Sequence, residues 1–278
     1  MGVKPLYYFQ SDGYFAFSSE LKALLTIIPE KNEIDLECIH RYLSFLWSPG
    51  DSTPIKGIKK LLPGESLVIK NSKVFKRWHL DDTKATKSVF TKIESINNTD
   101  KFLRNAVHSQ MVSDVPLGAF LSGGLDSSSI VTFAREINPR IECFTIDIEG
   151  GFGEGFSDDL PYAKRVAKHL EVPLNIVSTN PKEMSDHLNF MVEQLDEPLT
   201  DLAPLNVFFI SQLARKKGIK VLLSGAGGDD VFTGYRRHIA INYEKYWKWL
   251  PSSILSYAEN LSKKINVNHP LSRRLRSV

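Results

Sequence analysis

The stretch LGAFLSGGLDSS, residues 117–128, decides the fold of this 278-residue chain. Its apolar first half predicts a strand over Leu117–Leu121, its paired glycines predict a turn, and Ser127–Ile137 has the spacing of a helix. Strands and helices then alternate, with strands predicted at Ile141–Ile148, Leu174–Val177 and Lys220–Ser224, and helices at Leu160–Leu170, Pro181–Gln194 and Leu205–Lys217. This alternation predicts an α/β fold, a parallel sheet with flanking helices.

The turn after the first of these strands has the composition of a phosphate-binding loop. Its glycines allow close backbone approach, and the helix that follows presents unpaired N–H groups and the positive end of its dipole. Ser122, Ser127 and Ser128 can donate hydroxyl hydrogen bonds. Asp126 would repel bare phosphate, so it is better explained as a ligand of Mg²⁺. The loop lacks the Gly-Lys-Ser/Thr end of the Walker pattern and resembles the pyrophosphate loop of enzymes that split ATP between its α and β phosphates.

A second glycine-rich turn, SGAGGDD over residues 224–230, follows the last predicted strand. Because the carboxyl ends of parallel strands meet at one edge of a sheet, we expect this turn to face the first one. Asp229 would supply a second carboxylate, and Asp126 and Asp229 could then share one magnesium ion. An ordinary loop with acidic residues is the alternative interpretation of the second turn taken alone.

The N-terminal part of the chain differs from the rest. A hairpin is predicted around the turn Ser11-Asp12-Gly13, a helix with Asp35 as its N-cap follows, and Ser66–Ile69 is predicted to be a strand. A polar linker over residues 81–92 then separates residues 1–80 from residues 93–278, and a helix is predicted over Ile93–Met111, weakened in its first turns by Asn97-Asn98.

Composition excludes several classes of protein. The charge of +3 from 35 basic and 32 acidic residues argues against nucleic acid or membrane as the main partner. The two cysteines, Cys38 and Cys143, have no metal-type or disulfide-dense spacing, which suits a reducing cytoplasm, and the seven histidines have no metal spacing either. We find no signal peptide and no apolar run of membrane-spanning length, so the predicted location is cytoplasmic.

The two loops together resemble those of the asparagine synthetase (glutamine-hydrolysing) family. Supporting matches lie between Val3 and Arg237 and include KPLYY at 4–8, SELKALL at 19–25, PGE at 63–65 and DEP at 196–198. The resemblance implies an ATP-pyrophosphatase fold of the adenine nucleotide alpha hydrolase type over residues 93–278. It also implies that residues 1–80 are a β-rich remnant of an Ntn-type glutaminase (amidotransferase type 2) domain.

The resemblance also implies a site and a reaction. It assigns adenine and ribose contacts to Leu121 and Ile146 and phosphate contacts to the glycine-rich loop that follows Leu121. It assigns further nucleotide contacts to Ser224 and Gly225. The phosphate-binding residues are Ser122, Gly123, Gly124, Leu125, Asp126 and Ser127. The implied reaction uses ATP and Mg²⁺ to make an acyl-adenylate of a small carboxylate, by resemblance aspartate, which ammonia from a glutaminase domain then converts to an amide.

Three departures from the family accompany this prediction. The chain begins with Met1-Gly2 where the family's glutaminase domain begins with a catalytic cysteine, and it stops at Val278, before a lysine that the family uses. Ala226 occupies the position where the family usually has Glu or Asp, so no catalytic residue is assigned. The alternatives are a non-catalytic or split-gene nucleotide-binding remnant, and a tRNA-modifying ATP pyrophosphatase, which the near-neutral charge and the two cysteines disfavour.

Overall fold

A computed structural model describes residues 4–11, 13–28, 33–71, 73–78, 90–150, 159–201, 203–243, 246, 249–251, 254 and 256. Its N-terminal elements form a small β-rich unit, whereas the elements after residue 90 alternate between helix and strand. The N-terminal elements are β1 (Tyr7–Ser11), β2 (Tyr14–Ser18), α1 (Leu21–Leu25), α2 (Leu36–Phe45), β3 (Ile58–Lys60), β4 (Glu65–Lys70) and β5 (Lys73–Trp78).

The C-terminal part begins with α3 (Lys92–Gln110), β6 (Leu117–Phe120), α4 (Leu125–Ile137), β7 (Glu142–Ile148), α5 (Leu160–Leu170) and β8 (Leu174–Thr179). It continues with α6 (Pro181–Asp186), α7 (Leu188–Gln194), α8 (Ala203–Lys216), β9 (Val221–Leu223), α9 (Gly228–Phe232) and α10 (Arg236–Tyr243).

The N-terminal unit contains the predicted hairpin. β1 pairs antiparallel with both β2 and β3, and β4 pairs antiparallel with β5. Tyr7, Phe9, Leu24 and Ile58 form a small buried core between this sheet and α1. The predicted cap is also present, because the Asp35 carboxylate accepts a hydrogen bond from the Cys38 N–H at 3.0 Å and so starts α2. Most of the predicted linker, residues 79–89, and the turn residue Asp12 lie outside the described residues.

A parallel sheet of order β8-β7-β6-β9 confirms the predicted α/β fold. Side chains alternate across it, as the pleat of a strand requires. Ala119 and Cys143 face a core made with α3, α4 and α5, whereas Phe144 and Ile146 face α8 on the other side. The sheet is therefore covered on both faces, as parallel sheets normally are.

Four predicted helices have different boundaries in the structure, although α3 and α8 shift by only one or two residues at each end. The segment 181–194 is two helices rather than one, because the chain turns at His187. The His187 ring places Nδ1 2.9 Å from the Glu183 carbonyl oxygen and packs against Phe208 and Phe209 of α8. Helix α4 begins at Leu125 rather than at Ser127, so Asp126 belongs to its first turn.

Helix α3 is continuous from Lys92 to Gln110 and passes through Asn97-Asn98. A capping box compensates for the low helix propensity of these residues. Thr91 accepts from the Glu94 N–H at 3.3 Å, and the Glu94 carboxylate accepts from the Thr91 N–H at 2.8 Å.

Candidate functional site

The two glycine-rich loops lie beside each other at the carboxyl edge of the sheet. β6 and β9 are neighbouring parallel strands, with Gly118 opposite Leu222 and Ala119 opposite Leu223. After β6 the chain continues to β7 and β8 on one side of β6, and it then crosses the sheet to place β9 on the other side of β6. The strand order therefore reverses between β6 and β9. Such a switch point is where open α/β sheets bind ligands.

The first loop is shaped by its own serine hydroxyls. Ser122 Oγ lies 2.9 Å from Ser127 Oγ and accepts from the Gly124 N–H at 3.3 Å, while Ser127 Oγ accepts from the Ser122 N–H and donates to the Gly124 carbonyl. Gly123 has a φ of +81° and lies against the start of α5, where an added Cβ would be 2.6 Å from Tyr162 Cβ. Two of the predicted phosphate contacts therefore use their hydroxyls to hold the loop itself.

Helix α4 begins in this loop without a side-chain cap. Its N-cap is Gly124, which has no side chain to bond the first N–H groups. Ser128 N donates to the Gly124 carbonyl at 3.0 Å, so the free donors of the first turn come from the residues just before Ser128. The Ser128 hydroxyl is buried and has no hydrogen-bond partner among the described residues. The uncapped start of α4 is the kind of helix end that suits an anion such as phosphate.

The second loop packs directly on the first. An added Cβ at Gly225 would lie 2.8 Å from the Ser127 nitrogen and 2.9 Å from the Asp126 carbonyl carbon, so only glycine permits this approach. Gly228 in turn contacts the Asp126 carboxylate. The loop is held by hydrogen bonds from Ala226 N to Ser224 Oγ at 3.1 Å and from Gly228 N to the Gly225 carbonyl at 3.1 Å.

The two predicted magnesium ligands lie on neighbouring elements. Asp126 is in the first turn of α4 and Asp229 in the first turn of α9, one residue after the glycine that touches Asp126. The Asp229 carboxylate also contacts Gly234. No group of three or more His, Cys, Asp or Glu side chains gathers as a metal site within the described ranges. Two carboxylates suit Mg²⁺, which is commonly held by one or two carboxylates together with substrate phosphates.

The remaining predicted nucleotide contacts do not share one surface. Leu121 is 1% exposed and belongs to the core beneath α4 and α5, and its N–H donates to the Phe144 carbonyl at 2.8 Å. Ile146 packs on the opposite face of the sheet, toward α8. A ligand at the sheet edge would therefore meet Leu121 through its main chain, whereas Ser224 and Gly225 lie in the loop that contacts Asp126.

The contact between the N-terminal unit and the parallel-sheet part was not predicted. Glu197, which follows α7, accepts hydrogen bonds from the Tyr7 hydroxyl at 3.0 Å and the Lys60 ammonium at 2.8 Å. In the sequence, Asp196-Glu197-Pro198 stands out only as one of the matches that carry the family resemblance. The partners of Glu197 lie more than a hundred residues away in sequence, so no spacing rule could have found them.

The fold and the loops define an α/β protein with a ligand-binding switch point made of two contacting glycine-rich turns. The asparagine synthase family profile matches residues 98–277, and a glutamine amidotransferase domain profile matches residues 1–79. The chain belongs to the asparagine synthase family.

The curated relatives are similar over most of this chain. It is 32% identical over 274 residues to putative asparagine synthetase [glutamine-hydrolyzing] 2 of Methanocaldococcus jannaschii, covering 96% of this chain and 52% of that protein. It is 34% identical over 236 residues to asparagine synthetase [glutamine-hydrolyzing] 1 of Bacillus subtilis, covering 84% of this chain and 36% of that protein. The chain thus spans about half or less of the length of these relatives.

Among solved structures, the glutamine-dependent NAD⁺ synthetase of Acinetobacter baumannii in complex with ADP matches with a TM-score of 0.32 and 14% identity, over 85% of this chain and 51% of that one. The NMN synthetase of Francisella tularensis matches with a TM-score of 0.31 and 15% identity, over 48% of this chain and 53% of that one.

None of the helices in the described part of the chain combines the length and apolar character needed to cross a bilayer.

Proposed function

We propose that this chain carries the ATP-using site of a carboxylate amidation, and that aspartate is the carboxylate that it converts to asparagine. The names of the curated relatives and the family membership support the reaction class. The observation that carries the proposal is the direct packing of Gly225 on Asp126 and Ser127, because it joins both glycine-rich loops into one anion-binding edge.

In the proposed first step, a carboxylate oxygen of the substrate attacks the α phosphorus of ATP, and the bond between the α and β phosphates breaks with release of pyrophosphate. The first-turn N–H groups of α4 and the main chain of the two loops would hold the phosphates and stabilise the charge that develops on them. In the second step ammonia attacks the acyl carbon, AMP leaves, and a proton is released to form the neutral amide.

Magnesium would be held by Asp126 and Asp229 together with phosphate oxygens, and it would neutralise the charge of the departing pyrophosphate. Gly228 supports this assignment, since its contact with the Asp126 carboxylate brings the start of α9 beside that side chain. Ammonia would come from glutamine hydrolysis in the amidotransferase region of the whole protein. We further propose the division into residues 1–80, a linker over 81–92, and residues 93–278.

The reaction class is tested by incubating the purified chain with ATP, Mg²⁺, aspartate and ammonium and identifying the products. We expect AMP, pyrophosphate and asparagine in equal amounts, whereas ADP and phosphate would contradict an acyl-adenylate. Asp126→Asn should abolish the reaction. Asp114→Asn is the matched control, because Asp114 is exposed and precedes the opposite end of the same strand, β6.

A second candidate, nucleotide binding without adenylation, is favoured by Ala226. This residue is exposed in the second loop, at the position where the family resemblance places an acidic residue. Ala226→Glu separates the two candidates. A chain that needs only this carboxylate should release pyrophosphate faster after the change, while a chain that binds nucleotide without chemistry should bind ATP equally well and stay inactive.

A further inference from the structure

Among the described residues, the hydrogen bonds between the N-terminal unit and the parallel-sheet part all reach residues 193–200, which are the end of α7 and the chain that follows it. The Tyr42 hydroxyl lies 2.8 Å from Thr200 Oγ1, and the Thr200 N–H donates to the Leu46 carbonyl at 3.2 Å. The Lys22 N–H donates to Asp196 at 3.4 Å. The Lys22 ammonium also donates to the Glu193 carbonyl.

Glu197 lies at the centre of this contact and uses both of its carboxylate oxygens. Oε1 accepts from the Tyr7 hydroxyl of β1 at 3.0 Å, and Oε2 accepts from the Lys60 ammonium of β3 at 2.8 Å. Lys60 donates a second hydrogen bond to the Ser48 carbonyl at 2.7 Å. Side-chain exposure is 16% for Glu197 and 19% for Lys60, so solvent screens this ion pair weakly.

Glu197 has a cation and a hydroxyl donor in its immediate surroundings. A cleft of about 400 Å³ opens beside it, and Asp196 adds a second acid to its wall while Lys60 is the one cation among the described lining residues. Burial, followed by the Glu197 carboxylate, raises the pKa of the Tyr7 hydroxyl, which therefore remains a protonated donor. Loss of the Glu197 charge would leave the Lys60 ammonium half-buried and unpaired, which is costly.

We propose that Glu197 is the positioning residue of an ionic latch, formed with Tyr7 and Lys60, that holds the N-terminal unit on the segment leading into α8. The latch acts between two parts that each have their own core, one around Phe9 and Ile58 and the other around Val131 and Cys143. Its loss should loosen this contact and destabilise the strands β1 and β3 that it holds, while the parallel-sheet part stays folded. This inference does not depend on the proposed amidation, and nucleotide binding is measured alongside it.

Amide hydrogen exchange of the full chain tests the latch. In Glu197→Ala we expect exchange in β1, β3 and residues 195–200 to rise together by about tenfold or more, while exchange in α4 and α5 and the affinity for ATP stay unchanged. Glu197→Gln should give an intermediate rise, because its amide oxygen can still accept from Tyr7 but carries no charge for Lys60. Adding Lys60→Met to Glu197→Ala should partly reverse the rise, because it removes the ammonium that Glu197→Ala leaves without its carboxylate.

Two matched controls bear on the result. Glu193→Gln changes an exposed acid of the same segment whose contribution to the contact is its main-chain carbonyl. Lys59→Met changes the neighbouring lysine of β3, which pairs with Asp51 at 3.6 Å. The latch is overturned if Glu197→Ala leaves exchange in β1 and β3 unchanged, if exchange rises throughout the chain, or if either control gives the same rise.

Discussion

At the scale of single residues, glycines and serines give the two glycine-rich loops their shape. Gly225 allows the second loop to touch Asp126 and Ser127, and Gly123 lets the first loop turn against α5. The hydroxyls of Ser122 and Ser127 bond each other and the main chain of the loop, so they hold its shape. The residues predicted as ligand contacts therefore include several whose role is to shape the site.

Gly225→Ala should weaken the contact between the loops. The new Cβ would meet main-chain atoms of Ser127 and Asp126 that cannot move without shifting α4, so we expect a loss of about 1–3 kcal/mol in the free energy of unfolding and weaker ATP binding. Denaturant unfolding and nucleotide titration measure these two effects. Ala226→Ser, an exposed change in the same loop, should leave stability near that of the parent chain, and an unchanged Gly225→Ala would refute the packing argument.

Cys143 should be chemically inert in the folded protein. Burial, with a further contribution from Glu142, raises the pKa of its thiol to about 12, so the reactive thiolate is scarce at mildly alkaline pH. We expect iodoacetamide to leave Cys143 unmodified in the native chain and to modify it after unfolding in urea. Mass spectrometry of the two samples checks this, and rapid native labelling would mean that β7 is more accessible than the structure indicates.

At the scale of elements, α3 begins with two reciprocal hydrogen bonds between Thr91 and Glu94. Hydrogen bonds from the Thr91 main chain and side chain lower the pKa of Glu94. A carboxylate whose pKa is lower in the folded state contributes stability above its unfolded pKa, and that contribution is lost as the pH falls through the folded pKa.

Thr91→Ala should therefore destabilise the chain in a pH-dependent way. The difference in denaturant midpoint between parent and variant should be largest at neutral pH and shrink in acid, where the Glu94 carboxylate is protonated in both proteins. Thr99→Ala, an exposed change further along α3, should show no such trend. A difference that grows as the pH falls would contradict the assigned capping box.

At the scale of the whole molecule, the switch point between β6 and β9 makes the site depend on both halves of the parallel sheet. Residues 121–128 and 224–230 are about a hundred positions apart in sequence, yet they contact each other. A ligand held by both loops therefore opposes global unfolding of this part of the chain.

ATP with Mg²⁺ should raise the unfolding temperature of the parent chain. At a concentration of about 100 times the dissociation constant, ligand binding to the folded state adds about 2.7 kcal/mol. Chelation of magnesium with EDTA should remove most of this shift, because the Asp126 and Asp229 carboxylates would then face the phosphates without a cation between them. A shift that is equal with and without magnesium would argue against these two residues as metal ligands.

Sequence by itself determined the alternation of strands and helices from residue 90 to β9, apart from the break at His187, and the location of both glycine-rich turns. It could do so because periodicity and glycine placement act locally: α5 has its predicted ends, and both turns follow predicted strands. It also carried the family resemblance that the comparisons confirm. Helix ends were less certain, since the break at His187 depends on packing against Phe208 and Phe209.

Only the tertiary structure decided which distant residues meet. The burial of Leu121, the contact of Gly225 with Asp126, and the latch of Glu197 with Tyr7 and Lys60 all join residues that the chain brings together by folding. Pairings of this kind depend on the crossover between β8 and β9 and on the docking of the N-terminal unit. Local propensity contains no information about either, because both arise from the burial of surfaces that are far apart in sequence.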